Sequence, residues 1–322
     1  VITLANGNVV IAFSDFSGTI DPNQGGVIAS VYAGNGTELA RDILVNTQTS
    51  SNQFDVELVA LEGGGFVATW LDTDRTGDDS VSSTIRAQIF DNDGAKVGGE
   101  FRVNNSTTSS ESAHEIAALD NGGFVITWQD NTPGSDDTEN SAIRAQVYAA
   151  DGTEIGAEIL VNTTTASFQF SPQITTLDNG GFAIAWYDNA LRQYFAQAFT
   201  ANGSPTGGEL DFPLDQVASS NAQRLAPLED GRFVLVAPER GRTSGDISGD
   251  AIISQIMTPG IQASEDQPLD LAGAITFDGV GSGDTILVRI DALSGIISGT
   301  AGTNTVTITD NGDFVHNEGA RD

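Results

Sequence analysis

Leu119-Asp-Asn-Gly-Gly-Phe-Val-Ile-Thr-Trp128, with Gln129 and Asp130 behind it, recurs along the chain. It returns as Leu61-Glu-Gly-Gly-Gly-Phe-Val-Ala-Thr-Trp70 followed by Asp72, and as Leu177-Asp-Asn-Gly-Gly-Phe-Ala-Ile-Ala-Trp186 followed by Asp188. Two weaker copies flank these, Leu4 to Phe13 with Asp15, and Leu228 to Ala237 with Glu239. The anchor positions Val9, Phe66, Phe124, Phe182 and Phe233 are spaced by 57, 58, 58 and 51 residues. A fixed period of this size is the signature of a repeat architecture.

Each repeat reads as four short strands with alternating patterning. Between His114 and Asn162, strands are expected at His114–Leu119, Phe124–Gln129, Ile143–Tyr148 and Glu158–Asn162. Asn121-Gly122 supplies the positive φ that a tight hairpin requires. The third strand recurs as Ile85-Arg-Ala-Gln-Ile-Phe90 and Ile143-Arg-Ala-Gln-Val-Tyr148, and the fourth as Ile43-Leu-Val-Asn46, Phe101-Arg-Val-Asn104 and Ile159-Leu-Val-Asn162. Four antiparallel strands per repeat predict an all-β fold, a β-propeller with one blade per repeat. A β-sandwich needs roughly seven strands in ~100 residues, so four strands do not close one. Five repeats are visible, and the fifth lacks a clear fourth strand after Met257.

The composition narrows the function classes. Lys and Arg number 13 against 44 Asp and Glu, a net charge of −31, which argues against nucleic acid or an anionic membrane as partner. Cysteine is absent, which rules out disulfides and thiolate metal sites. No apolar run approaches the ~20 residues of a membrane-spanning helix. The sequence opens on Val1 rather than Met, as expected of a fragment or a processed product.

The repeat pattern stops near Thr258-Pro-Gly260, which divides the chain into propeller repeats over 1–260 and a second module over 261–322. The second module opens on Glu265-Asp-Gln-Pro-Leu269 and continues through Asp278 to Gly283-Asp-Thr285. On these residues it resembles the cadherin-like and immunoglobulin-like β-sandwich repeats of large RTX-type bacterial secreted and surface proteins, and it is a partial copy. The glycine- and acid-rich repeats upstream are similar to tandem repeats of the same exoproteins. That resemblance implies an extracellular or cell-surface location, calcium binding and an adhesin-like role.

Chemistry is expected on the face that carries the long second-to-third-strand loops. The carboxylate two residues after the tryptophan position recurs in every repeat, as Asp15, Asp72, Asp130, Asp188 and Glu239. Further acids follow in two of these loops, Asp74, Asp78 and Asp79 in one and Asp136 and Asp137 in the other. Hard oxygen donors at this density suit Ca²⁺, although no EF-hand spacing is present. The plainer reading is that each acid ends its strand and starts a turn through its own side chain. Trp70, Trp128 and Trp186 share a strand face with Phe66, Phe124 and Phe182, so inter-blade core is expected rather than sugar stacking. The Arg-Ala-Gln triplets follow the repeat and are expected to bridge blades.

Two functions follow. The first is a non-catalytic surface, adhesion or structural module stabilised by calcium, whose acidic face binds a glycan or an extracellular protein, or which self-assembles. The alternative is a secreted polysaccharide-active enzyme, a glycoside hydrolase or lyase with paired carboxylates at the propeller axis. Asp55 and Glu115, near the starts of first strands, are the candidates for that pair.

Overall fold

The computed structural model describes residues 1–21, 25–73, 83–106, 110–131, 141–165, 168–212, 223–240, 250–259, 296–299 and 306–309. The chain divides into two compact units, Val1–Gly260 and Ile261–Asp322. The second contributes one described pair of antiparallel strands, Ile296–Gly299 and Val306–Thr309.

The first unit is a series of antiparallel sheets, one per repeat. Blade 1 comprises β1 (Ile2–Thr3), β2 (Val9–Asp15), β3 (Gly26–Tyr32) and β4 (Glu38–Leu44). Blade 2 comprises β5 (Gln53–Ala60), β6 (Phe66–Asp72), β7 (Thr84–Phe90) and β8 (Lys96–Arg102). Blade 3 runs through β9 (Glu111–Ala118), β10 (Phe124–Asp130), β11 (Ala142–Tyr148) and β12 (Glu154–Leu160). Blade 4 runs through β13 (Gln169–Thr176), β14 (Phe182–Asp188), β15 (Gln193–Phe199) and β16 (Pro205–Phe212). Blade 5 has three described strands, β17 (Arg224–Pro227), β18 (Phe233–Arg240) and β19 (Asp250–Met257). Within each sheet the strands lie side by side in chain order. The propeller of four-stranded blades expected from the repeat is the observed fold.

The Asn-Gly-Gly turn explains why the motif anchors the repeat. Leu119 N donates to Gly123 O at 2.9 Å, and Gly122 N donates to Leu119 O at 2.9 Å. Gly122 sits at φ +86°, where a side chain is disfavoured. Gly123 is required for space, because a Cβ there would lie 2.3 Å from the Tyr148 carbonyl oxygen. The fourth strand starts at Glu154 rather than at Glu158. The turn closing on Ala149 N to Thr153 O at 2.8 Å returns the chain at once into pairing with β11.

Alternation then assembles the core. Phe124, Ile126 and Trp128 point to the preceding blade and pack with Val67, Ile85 and Ile89. Val125 points the other way and packs with Phe182, Ile184 and Trp186 of blade 4. The three tryptophans are at most 2% exposed, so they are inter-blade core. Aromatic side chains of this size carry much of the burial energy of such a core.

Carboxylates also join the blades. Glu100 of β8 accepts a hydrogen bond from Thr47 N of the preceding blade at 2.5 Å. Glu158 of β12 accepts one from Asn105 N at 3.0 Å, and Glu209 of β16 accepts one from Thr163 N. Thr47, Asn105 and Thr163 are equivalent positions of the repeat, each just beyond a fourth strand. The buried Asn46, Asn104 and Asn162 fix the same turns, each accepting from the third strand of its own blade at 2.8–3.1 Å.

Candidate active site

The first strands of successive blades are neighbours and line the inside of the propeller. Their side chains are mostly half-buried, whereas those of β6, β7, β11 and β14 are wholly buried. Each of β5, β9 and β13 carries a bulge, with a non-glycine residue at positive φ: Asp55 at +60°, Ala113 at +48° and Ser171 at +53°. A non-glycine residue there is uncommon, and such strain clusters at functional sites.

Just inside the bulge, one position per blade faces its neighbours. Glu57 lies opposite Thr69, Glu115 opposite Thr127, Gln173 opposite Ala185 and Arg224 opposite Val236. These are the same register position in blades 2, 3, 4 and 5. Arg224 Nη1 donates to Gln173 Oε1 at 3.2 Å, and Gln173 Nε2 donates to Glu115 Oε1 at 2.6 Å. Glu57 ends the row. Burial, with the negative charges of Glu115 and Asp55 nearby, pushes its carboxyl up to about 7. Burial also raises Glu115, against the opposing influence of the Gln173 hydrogen bond and the Arg224 charge. His114, 3% exposed and facing Asp55 and the Thr69 backbone, is held below its ordinary value by burial.

The two acids therefore differ in environment. Glu57 is partly buried, with the like charges of Glu115 and Asp55 outweighing the nearby Val1 amino group, and keeps its proton to near neutrality. Glu115 receives an amide hydrogen bond and lies within reach of a guanidinium. Two carboxyls set apart in this way can divide the acid and base roles of one reaction. At the turn end of the same strands, a shallow depression of about 390 Å³ is lined mainly by apolar residues such as Leu4, Leu61 and Leu119. The acids lie midway along these ladders, opposite Thr69 and Thr127, three residues from either end of the second strand.

The repeated second-strand acids are bonded within the protein. Asp72 is fully buried, with Oδ2 2.9 Å from Arg86 Nε and Oδ1 accepting from Gln53 Nε2 at 3.0 Å. Asp130 Oδ2 lies 2.8 Å from Arg144 Nε. Asp188 accepts from Gln169 Nε2 at 3.1 Å and from Leu191 N at 2.9 Å. Asp15 starts a turn, accepting from Ser17 N and Ser17 Oγ, each at 2.9 Å. The arginines of the Arg-Ala-Gln triplets continue to Glu100, 3.4 Å from Arg86, and to Glu158, 3.3 Å from Arg144. These are the glutamates that reach the preceding blade. Among the described residues, no three His, Asp or Glu side chains gather into a metal-sized group. Asp74, Asp78, Asp79, Asp136 and Asp137, and the side chain of Glu239, lie outside what is described.

Sequence reasoning selected Asp55 and Glu115 and missed Glu57, Gln173 and Arg224. The signal was present in the period, since Glu57, Glu115 and Gln173 are each 58 residues apart.

No family model and no curated protein matches the chain. Solved structures do. An α-L-arabinanase from Penicillium chrysogenum complexed with arabinobiose aligns at a TM-score of 0.50 and 14% identity, over 73% of this chain and 72% of that one. A protein of unknown function from Dyadobacter fermentans aligns at 0.50 and 12%, over 79% and 76%. An α-L-arabinofuranosidase from Lactobacillus brevis aligns at 0.40 and 12%, over 79% and 90%. These matches correct the resemblance to RTX-type exoproteins: the matching structures include an α-L-arabinanase and give no support to an adhesin module, and the cadherin-like motif residues Glu265 to Thr285 lie outside the described residues. Turn glycines and strand-end acids are demanded by blade geometry itself, as Gly123 and Asp72 illustrate, so they carry no family information. At these identities the comparison shows a likeness of fold alone.

Proposed function

We propose that the protein acts on a polysaccharide, with the Glu57–Glu115 pair at the propeller axis cleaving a glycosidic bond. The single observation that carries this reading is the row Glu57, Glu115, Gln173 and Arg224. It is one register position in four successive blades, with its two carboxyls held in contrasting environments. In this reading Glu57, protonated near neutral pH, donates a proton to the leaving oxygen. Glu115, oriented by Gln173, serves as the base or nucleophile on the other side of the sugar ring. Burial, and then the negative charges of Glu115 and Asp55, keep the Glu57 proton in place.

The test is a hydrolysis screen of the full chain on neutral and acidic plant and algal polysaccharides, followed by Glu57→Gln and Glu115→Gln. Loss of turnover by at least 10²-fold in each variant, with ligand binding retained, supports the assignment. Unchanged turnover in both variants would remove the pair as catalysts. Binding of a glycan without product, unaffected by either substitution, would favour the non-catalytic module.

A further inference from the structure

We infer that Arg224 is a positioning residue for the axial acids: acting through Gln173, it makes Glu115 the proton acceptor of the pair and leaves Glu57 the donor. The inference rests on the hydrolytic reading only for what the pair does, since the coupling between these residues can be measured without substrate.

The contacts have a direction. Gln173 Nε2 donates to Glu115 Oε1 at 2.6 Å and to Pro172 O at 3.1 Å, while its Oε1 accepts from Arg224 Nη1 at 3.2 Å. A flipped amide would set its oxygen against the Pro172 carbonyl and the Glu115 carboxyl, and its N–H groups against the guanidinium. All three neighbours therefore hold one orientation, with the donor toward Glu115. A donor at that place favours the anionic form of the carboxyl. Arg224 is itself held in position. Its Nη1 also donates to Gln223 O at 2.7 Å, and fully buried Gln223 donates through Nε2 to Ser171 O at the bulge of β13. Two successive residues of blade 5 thus grip blade 4 on either side of Pro172.

The charges point the same way. Arg86 and Arg144 each contact two carboxylates. Arg224 forms no ion pair among the described residues, so its charge acts on the amide it holds and, along that hydrogen-bonded chain, on Glu115. The charged groups facing Glu115 are Asp55 and Glu57 on β5 and Arg224 on β17, with uncharged Gln173 on β13 and Thr127 opposite on β10. His114, beside Glu115 on β9, faces Asp55. Burial raises the Glu115 carboxyl, and the Gln173 hydrogen bond and Arg224 oppose that rise. No hydrogen bond reaches the Glu57 carboxyl among the described residues. One acid of the pair therefore has a donor chain ending in a cation and the other has none. The two titrate as a coupled pair, so whatever delays ionisation of Glu115 advances that of Glu57.

The test is carbon-13 NMR of the full chain with labelled glutamate carboxyls, titrated for wild type, Arg224→Met, Gln173→Met and the double variant. Glu57→Gln and Glu115→Gln assign the two signals. In Arg224→Met, Glu115 should titrate higher by about 0.5 pH unit or more, and Glu57 lower. Loosening of the structure would instead draw both toward the ordinary carboxylate value, so opposite movements distinguish positioning from a structural role. With Gln173 already replaced, Arg224→Met should move Glu115 much less. Arg224→Met alone decides the sign of both shifts if Gln173→Met alters the circular dichroism spectrum. No rise at Glu115, or a rise of equal size without Gln173, overturns the proposal. Where turnover is found, the acid limb of its pH profile should move upward with Glu115. A chain that cleaves no polysaccharide but shows these shifts refutes the hydrolytic reading and leaves the coupling established.

Discussion

Replacing Arg144 by phenylalanine tests how the blades are held together, because blade 4 already carries that residue. Arg144 joins Asp130 at 2.8 Å to Glu158 at 3.3 Å, with the three side chains 10%, 5% and 14% exposed. Removing the arginine leaves two buried carboxylates without their cation, which typically costs about 3–5 kcal/mol. For a domain of this size each kcal/mol lowers Tm by roughly 2–4 °C, so Arg144→Phe should lower it by roughly 6–20 °C. In blade 4 the equivalent residue is Phe195, and Asp188 is instead held by Gln169 Nε2 at 3.1 Å and by Leu191 N. The residue of blade 3 that lies opposite Asp130, as Gln169 lies opposite Asp188, is Glu111. Glu111→Gln added to Arg144→Phe supplies a permanent amide donor to Asp130. It should recover about 1.5–3 kcal/mol, the value of a hydrogen bond to a charged group. Differential scanning calorimetry of the two variants and wild type measures both steps. A fall of less than ~3 °C in the single variant, or no recovery in the double, would refute the reasoning.

Two further outcomes are expected. Glu57 is raised in the folded state, so its contribution to stability is complete below the ordinary carboxylate range and is lost as pH rises through about 7. Burial raises Glu115, Glu100 and Glu209 in the same direction. His114, lowered by burial, acts in the opposite sense over the same range, so the Glu57 contribution is read as a difference: between pH 5 and pH 8 Glu57→Gln should lose less Tm than wild type. Equal falls in wild type and variant would contradict the assignment. At the hairpin, Gly123→Ala sets a methyl group 2.3 Å from the Tyr148 carbonyl oxygen and should cost about 1–3 kcal/mol, read from the urea midpoint.

The blades were legible in the sequence because two simple rules coincide in the Leu119–Trp128 stretch. Turn glycines mark where the backbone must reverse, and strict alternation marks which side chains face the neighbouring sheet. The innermost strands were harder to read. Their bulges at Asp55, Ala113 and Ser171 break the period of two, so Glu57, two residues past the bulge at Asp55, falls out of a pattern search based on alternation. The acids at Asp72 and Asp130 show another limit of the sequence. Sequence shows a carboxylate at a regular spacing but not the arginine across the ladder that neutralises it. Asp72 meets Arg86 and Asp130 meets Arg144 only because β6 pairs with β7 and β10 with β11.

The carboxylate reaching from Glu158 to Asn105 N joins only adjacent blades, and both partners recur with the period of the repeat. A deletion or duplication of one whole period, made between equivalent Asn-Gly-Gly turns, would therefore leave every surviving blade against a neighbour of the same kind. The near-identical stretches at Leu61, Leu119 and Leu177 mark equivalent places to cut. Blade number is thus a variable that this architecture can change in whole steps, without redesign of the interfaces that remain. The axial row sets the limit on that freedom. Glu57, Glu115, Gln173 and Arg224 occupy equivalent places but are not interchangeable, so a recombinant could keep its fold and lose its chemistry.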